Sequence, residues 1–358
     1  MDRDGRGMSV NARAALAAAL IAICGAAVPA FADDDDHRRD FPRSGLNPDL
    51  NDPRIVGDFD YGVCNGTDPK CYHDWAHEER NGNRVLIYTR TAGPRHANIG
   101  PRMTAGLNPP LTPAHIVQNA LIRWLAAEGI QADWTEDVSW MSSPGRLHPY
   151  KAVIFASTSR DTLFAHGRAI DPALAVNTST SAHLDAAKTA LRQYIRAGGA
   201  FVGIHNAFGT EYNWPYYEGL LGNTNYYDHG ANQAGTVVIV NDDSSTSGLP
   251  QRWDFQDEWY NLVPFPTNVK FLATVDEESL ATRREIHPGH GKFHPVAWCH
   301  YYDGGRAWLT TLGHDGRAFT ENSGFPGQAA FQKMLTEGIK SAMGLTPFCA
   351  ERGKHRRD

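Results

Sequence analysis

Three histidines stand just past short apolar runs: His96 soon after Val85-Leu86-Ile87-Tyr88, His205 directly after Ala200–Ile204, and His314 just beyond residues 306–312. Imidazole can give or take a proton near neutral pH, and it is also the commonest metal ligand. Glu258, in the run Asp257-Glu258-Trp259-Tyr260, adds a carboxylate, and His229 a further imidazole. A carboxylate among imidazoles can perform general acid–base chemistry, with His205 and Glu258 as the leading pair and His96 and His314 beside them. The same three strand-following histidines could instead hold a divalent metal. His229, Asp257, Tyr260, Trp214 and Trp298 are the candidates for substrate contact. Aromatic rings suit the apolar faces of sugars, although Trp214, Tyr216, Tyr217, Tyr226, Tyr227 and Trp253 would equally serve as core. Taken singly, each histidine is equally compatible with a hydrogen bond to its own loop, and Glu258 with a surface salt bridge. On a continuous strand Glu258 and Tyr260 would share one face, Asp257 and Trp259 the other.

The surrounding pattern explains why distant residues could meet. Residues 85–88, 152–155 and 200–204 are apolar runs of buried-strand type, and amphipathic helices are expected between and after them. Thr112 reads as a helix N-cap with Pro113 at the first position, and Ile116, Val117, Ala120, Leu121, Trp124 and Leu125 recur at helical spacing up to Gly129. Residues 181–196 and 328–343 read as two more helices. Apolar strands alternating with helices imply a parallel sheet covered on both faces, and in such sheets ligands bind beyond the carboxyl ends of the strands. The second half is richer in strands, expected at residues 236–240, 255–260, 269–275, 296–302 and 306–312. Asp303-Gly304-Gly305 is expected to turn a hairpin between the last two.

Residues 1–32 read as a signal peptide: Arg13, an apolar run from Ala14 to Val28, then Ala30-Phe31-Ala32 as a cleavage site. Residues 33–83 read as an irregular leader, residues 84–344 as the working domain and residues 345–358 as a tail. A secreted or periplasmic protein with no membrane span after signal cleavage is expected. Four cysteines then remain, Cys64, Cys71, Cys299 and Cys349, and an even count in an exported chain suggests disulfides. The short loop from Cys64 to Cys71 makes that pair the natural one, leaving Cys299 with Cys349; three pairings are possible in principle. The formal net charge of −6 argues against a nucleic-acid partner, which would want a basic face. No glycine fingerprint for a dinucleotide and no phosphate loop occurs, so no nucleotide cofactor is expected.

Several blocks resemble the trehalose-utilisation (ThuA-like) family. Residues 89–96, Thr-Arg-Thr-Ala-Gly-Pro-Arg-His, look like its first-strand motif. Residues 198–207 are similar to its Gly-Gly-x-Phe-x-Gly-Ile-His signature. Leu220-Leu221-Gly222 with His229, residues 257–260, His294-Pro295-Val296-Ala297-Trp298 and Leu312-Gly313-His314 follow in order. Pro94 stands where the family has an aromatic, Asn223 in place of its second Gly, Gly230 in place of a Pro, and residues 98–112 are extra. The resemblance implies a flavodoxin-like, class-I glutamine-amidotransferase-like α/β fold, mostly parallel, with helices on both faces and a β-rich C-terminal half. In amidotransferases the corresponding strand ends Gly-Ile-Cys; here it ends Gly203-Ile204-His205, which rules out acyl transfer through a thiol at that turn. The family association also implies a small carbohydrate substrate, an oxidised (keto) sugar or glycoside undergoing isomerisation or cleavage. The alternative is a non-catalytic glycan-binding module of the cell envelope.

Overall fold

Residues 84–88 alternate their side chains between two hydrophobic clusters: Val85 and Ile87 join one, Leu86 and Tyr88 the other. A strand that buries both faces must lie inside a sheet covered on both sides. The computed structural model of the chain describes residues 63–76, 80, 82–164, 186–212, 214–282 and 287–350. The expected signal peptide, most of the leader, the start of the helix expected from Ser181 and the tail beyond residue 350 lie outside the described residues.

In chain order the strands are β1 (Asn65–Gly66), β2 (Arg84–Tyr88), β3 (Gln131–Thr135), β4 (Ala152–Ala156), β5 (Ala200–Ile204), β6 (Tyr226–His229), β7 (Gln233–Ile239), β8 (Arg252–Asp257), β9 (Tyr260–Leu262), β10 (Lys270–Asp276), β11 (His294–Tyr302) and β12 (Gly305–Thr310). The helices are α1 (Ile116–Ala127), α2 (Val138–Met141), α3 (Pro144–Leu147), α4 (Ala186–Arg196), α5 (Pro215–Leu220) and α6 (Gln328–Ala342). One large sheet runs β3-β2-β4-β5-β12-β11-β10-β7-β8, with β1 attached to β11; β6 and β9 form a separate pair. The pairings from β3 through β12 are parallel, and those from β12 through β8 antiparallel. The expected parallel core and the β-rich second half are therefore two halves of one sheet. Side chains of α1 and α6 pack on one face, and those of α2, α3 and α4 on the other.

The local differences have physical causes. Helix α1 starts at Ile116 with His115 at its N-cap, not at Thr112 and Pro113. The amide of Thr112 donates instead to His115 Nδ1 at 2.9 Å, closing a turn before the helix. Strand β3 carries no apolar run, because its Asp133 is buried by pairing with Arg84 at 2.6 Å and Tyr150 at 2.9 Å. The expected strand at residues 255–260 breaks after Asp257, and the chain steps from the large sheet into the β6–β9 pair. The Trp259 indole anchors that step by donating to Gln233 O at 3.1 Å. The hairpin loop has φ of 46° at Asp303 and 92° at Gly304, the left-handed pair that a two-residue turn between β11 and β12 requires.

Both cysteine pairs are bridged, Cys64 to Cys71 and Cys299 to Cys349, with Cα atoms 5.4 and 5.7 Å apart. The first closes the short loop before the domain, and the second ties residue 349 to β11. Among the described residues no helix is long and apolar enough to cross a membrane.

His300 on β11 is wholly buried, and burial pushes it down to about 4 from an ordinary 6.5, against a bond to Leu220 O. The unfolded chain therefore holds more protons on this group between those two values. Its contribution to stability is complete above 6.5 and is lost as pH falls toward 4. Urea unfolding across that window should show an acid-side loss of stability that flattens in His300→Gln; an unchanged slope in the variant would contradict this assignment.

Candidate functional site

The parallel strands β2, β5 and β12 aim their following segments at one edge of the sheet, and each delivers a histidine. His205 is the first residue after β5 and sits at φ 52°, a backbone region that non-glycine residues rarely occupy. Its ring turns inward, wholly buried, with Nδ1 2.9 Å from Thr311 O. A carbonyl can only accept, so the proton is on Nδ1, and Nε2 presents a bare lone pair. That nitrogen lies 3.1 Å from His96 Nε2 and 3.0 Å from the Tyr260 hydroxyl.

His96 belongs to a loop made rigid by its neighbour. Arg95 donates to the carbonyls of Ile99, Gly100 and Pro101 at 3.2, 2.6 and 2.8 Å and pairs with Glu136 at 2.7 Å. Asn98 Nδ2 then reaches Gly313 O and His314 O at 3.0 and 2.8 Å, locking this loop to the segment after β12. Glu258 arrives from the step between β8 and β9. Its Oε2 lies 3.1 Å from His314 Nδ1, 3.6 Å from His229 Nε2 and 3.9 Å from His205 Nε2. The break in the strand thus accomplishes what simple alternation would have done: Glu258 and Tyr260 both face His205.

Asp257 has a different place from the substrate contact expected of it. Wholly buried, it accepts from the backbone amides of Gly313 at 2.7 Å, His314 at 3.2 Å and Glu258 at 2.8 Å. Its carboxylate oxygens are turned to backbone donors and not to a substrate; Asp257 positions Glu258 and His314 together. Burial pushes its carboxyl up to about 7, against the opposing pull of the Gly313 amide.

Trp298 is also a correction, since its ring is fully buried against Phe208 and its indole donates to Leu221 O at 2.9 Å. It packs on Gly222, where a Cβ would come within 2.9 Å of the indole nitrogen, so the Leu-Leu-Gly block serves this packing. Asn223 beside it has φ 62°, which asparagine tolerates better than most residues and which explains its standing in for glycine. Trp214 stacks on Tyr216 and Tyr217 under Lys188, and among the described residues its contacts do not reach the histidine cluster. Tyr216, Tyr217 and Trp253 are core.

The charges divide cleanly across the cluster. Burial, then His314, lowers His96 to about 4, and burial followed by His96 lowers His205 well below its ordinary range. Burial opposes charge on His314 as well, but the Glu258 carboxylate overrides it and the pKa rises. Burial likewise opposes ionised Glu258, and contact with His314 overrides it, so the carboxylate titrates below its usual value. Near neutral pH the centre holds two neutral imidazoles and an ionised carboxylate paired with His314. A cavity of about 580 Å³ opens beside them, lined by Pro94, His96, Asn98, Ile116, Asn232, His314 and Arg317 among others. One donor atom from each of His96, His205, Glu258 and His314 can be chosen so that all lie within 4.8 Å of one another.

With this geometry in view, the relationship to known proteins is informative. The family model for ThuA, described as trehalose utilisation, matches residues 84–342. The chain belongs to the ThuA family. A ThuA-like protein from Bacteroides uniformis has 20% identity and a TM-score of 0.50, over 72% of this chain and 91% of its own. One from Parabacteroides merdae has 16% identity and a TM-score of 0.49, over 74% and 90%. No curated protein matches. At such identities the likeness to the Bacteroides structure speaks for the ThuA fold alone.

Removing Asp257 tests its positioning role. Asp257→Ala orphans three buried backbone amides and should cost about 1–3 kcal/mol or more, read as a lower urea midpoint. A neutral substitution would show that Gly313 and His314 are held by other means.

Proposed function

We propose that this ThuA protein is an exported enzyme acting on a small carbohydrate that carries a carbonyl group, a keto-sugar or keto-glycoside. Its reaction begins by taking the proton from the carbon beside that carbonyl. The supporting observation is the Glu258 carboxylate: ionised, 16% exposed, and within 3.1–3.9 Å of His314, His229 and His205. An ionised carboxylate at the mouth of a buried polar cluster is suited to accept a proton, and the proton-rich His314 facing the cavity is suited to polarise the carbonyl oxygen. Proton return at the neighbouring carbon gives isomerisation, and loss of a leaving group from the next carbon gives glycosidic cleavage. His205, enclosed behind His96, does not reach a sugar directly; it sets the position and polarity of the groups that do. This modifies the first expectation, in which His205 itself exchanges the proton.

The sugar assignment rests on the family's description. Export rests on the two disulfides, which persist in oxidising compartments, and on the expected signal peptide. The glycan-binding alternative calls for a flat aromatic platform; the aromatics named for it lie largely in the core, while the titratable groups converge.

Turnover assayed on oxidised and unmodified disaccharides decides the matter. Glu258→Gln should lower kcat on the oxidised sugars by about 10²–10⁴, the range of a lost proton-transfer group, with the thermal midpoint nearly unchanged. Full activity in this variant would contradict the role of Glu258. Failure of the unmodified protein to turn over any keto-sugar would contradict the function.

A further inference from the structure

We propose that His96, His205 and His314 bind one divalent transition-metal ion of the zinc class, with Glu258 beside its open coordination position. This deepens the reading of the cluster as the reacting centre: with the ion bound, His314 is a neutral ligand and the ion would take over from it the polarising of the substrate carbonyl, while Glu258 takes the proton.

The first observation is the encounter of His96 and His205. Their Nε2 atoms stand 3.1 Å apart, and the bond from His205 Nδ1 to Thr311 O leaves Nε2 of that ring as a bare lone pair. His96 Nδ1 is buried without a hydrogen-bond partner. If the His96 proton is on Nε2, it competes with the Tyr260 hydroxyl, 3.0 Å away, for one lone pair, and Nδ1 is an unsatisfied acceptor. If the proton is on Nδ1, it has nowhere to go, and two lone pairs confront each other. Neither tautomer satisfies the pair; a cation between the two unprotonated Nε2 atoms removes their conflict and leaves the His96 proton on Nδ1.

Distances agree with that reading. Donors in a tetrahedral shell at about 2.1 Å from an ion lie about 3.4 Å from one another. His96 and His205 need separate by only a few tenths of an ångström, whereas the four donors span up to 4.8 Å, so the widest pair must close by about 1.4 Å if both of its members bind the ion. The carbonyl behind His205 is the support that metal-bound imidazoles ordinarily have, fixing both tautomer and ring direction. Three imidazole nitrogens suit zinc and its neighbours; magnesium and calcium favour all-oxygen shells. Three protein ligands with a vacant fourth direction is the pattern of a catalytic rather than a structural site.

The test uses the full, oxidised chain treated with EDTA, dialysed and titrated calorimetrically with zinc chloride. One equivalent should bind per chain. His96→Ala and His205→Ala should each weaken binding by more than about 100-fold, beyond the loss seen when only an outer-shell partner is removed. His287→Ala, in the separate histidine group with His290, should leave binding unchanged. If His205→Ala fails to fold by circular dichroism, His96→Ala on its loop carries the result. Absence of stoichiometric zinc binding, or binding lost with His287 and kept without His96, overturns the site. Full keto-sugar turnover by stripped protein would overturn the ion's catalytic part and leave Glu258 standing; stoichiometric zinc in a protein inert toward every keto-sugar would do the reverse.

Discussion

The carboxylate of Asp257 is the tie on which the arrangement depends. It sits where the last antiparallel strand of the large sheet ends, and it binds the amides of Gly313 and His314, which follow the last parallel strand. One buried group thereby ties the end of β8 to the segment after β12. Its third partner, the amide of Glu258, sets the direction in which the next side chain leaves. Buried amides without acceptors are costly, so the loops have few other conformations available. The site is rigid because satisfying these donors and aiming the reactive groups are the same event.

Around that tie, each histidine is held by its own device. His205 depends on a left-handed backbone turn and a carbonyl behind its ring, and His96 on the Arg95 guanidinium that fastens its loop. His314 depends on Asp257 and Asn98. Burial keeps the inner imidazoles neutral, while the outer one shares a proton field with Glu258. The result is a polarity gradient from a proton-poor interior to an ion-paired mouth, in a ThuA fold whose strand β5 ends at His205.

Much of this was legible in the residues. Short apolar runs marked β2, β4 and β5 because a doubly covered strand must be apolar throughout. The strand-following positions of His96, His205 and His314 announced their shared edge for the same topological reason. β3 was hidden because its polarity is neutralised by partners far along the chain, Arg84 and Tyr150. Asp257 was misjudged because a carboxylate beside a candidate base looks the same in sequence whether it faces substrate or backbone. Asn98 and Arg95 lay within or next to the quoted motif, yet nothing local shows that Asn98 reaches carbonyls more than two hundred positions away or that Arg95 gathers those of its own loop. Trp298 was taken for a substrate contact because no pattern separates an aromatic that packs on glycine from one that meets a ligand.

In the proposed reaction Glu258 removes a proton from the carbon beside a carbonyl held at this edge of the sheet. The direct measurement is proton NMR of a keto-disaccharide incubated with the protein in deuterium oxide. Deuterium should enter the carbon adjacent to the carbonyl, with exchange at that position abolished in Glu258→Gln. Product formed with no exchange at that carbon, or exchange that persists without the carboxylate, would contradict it.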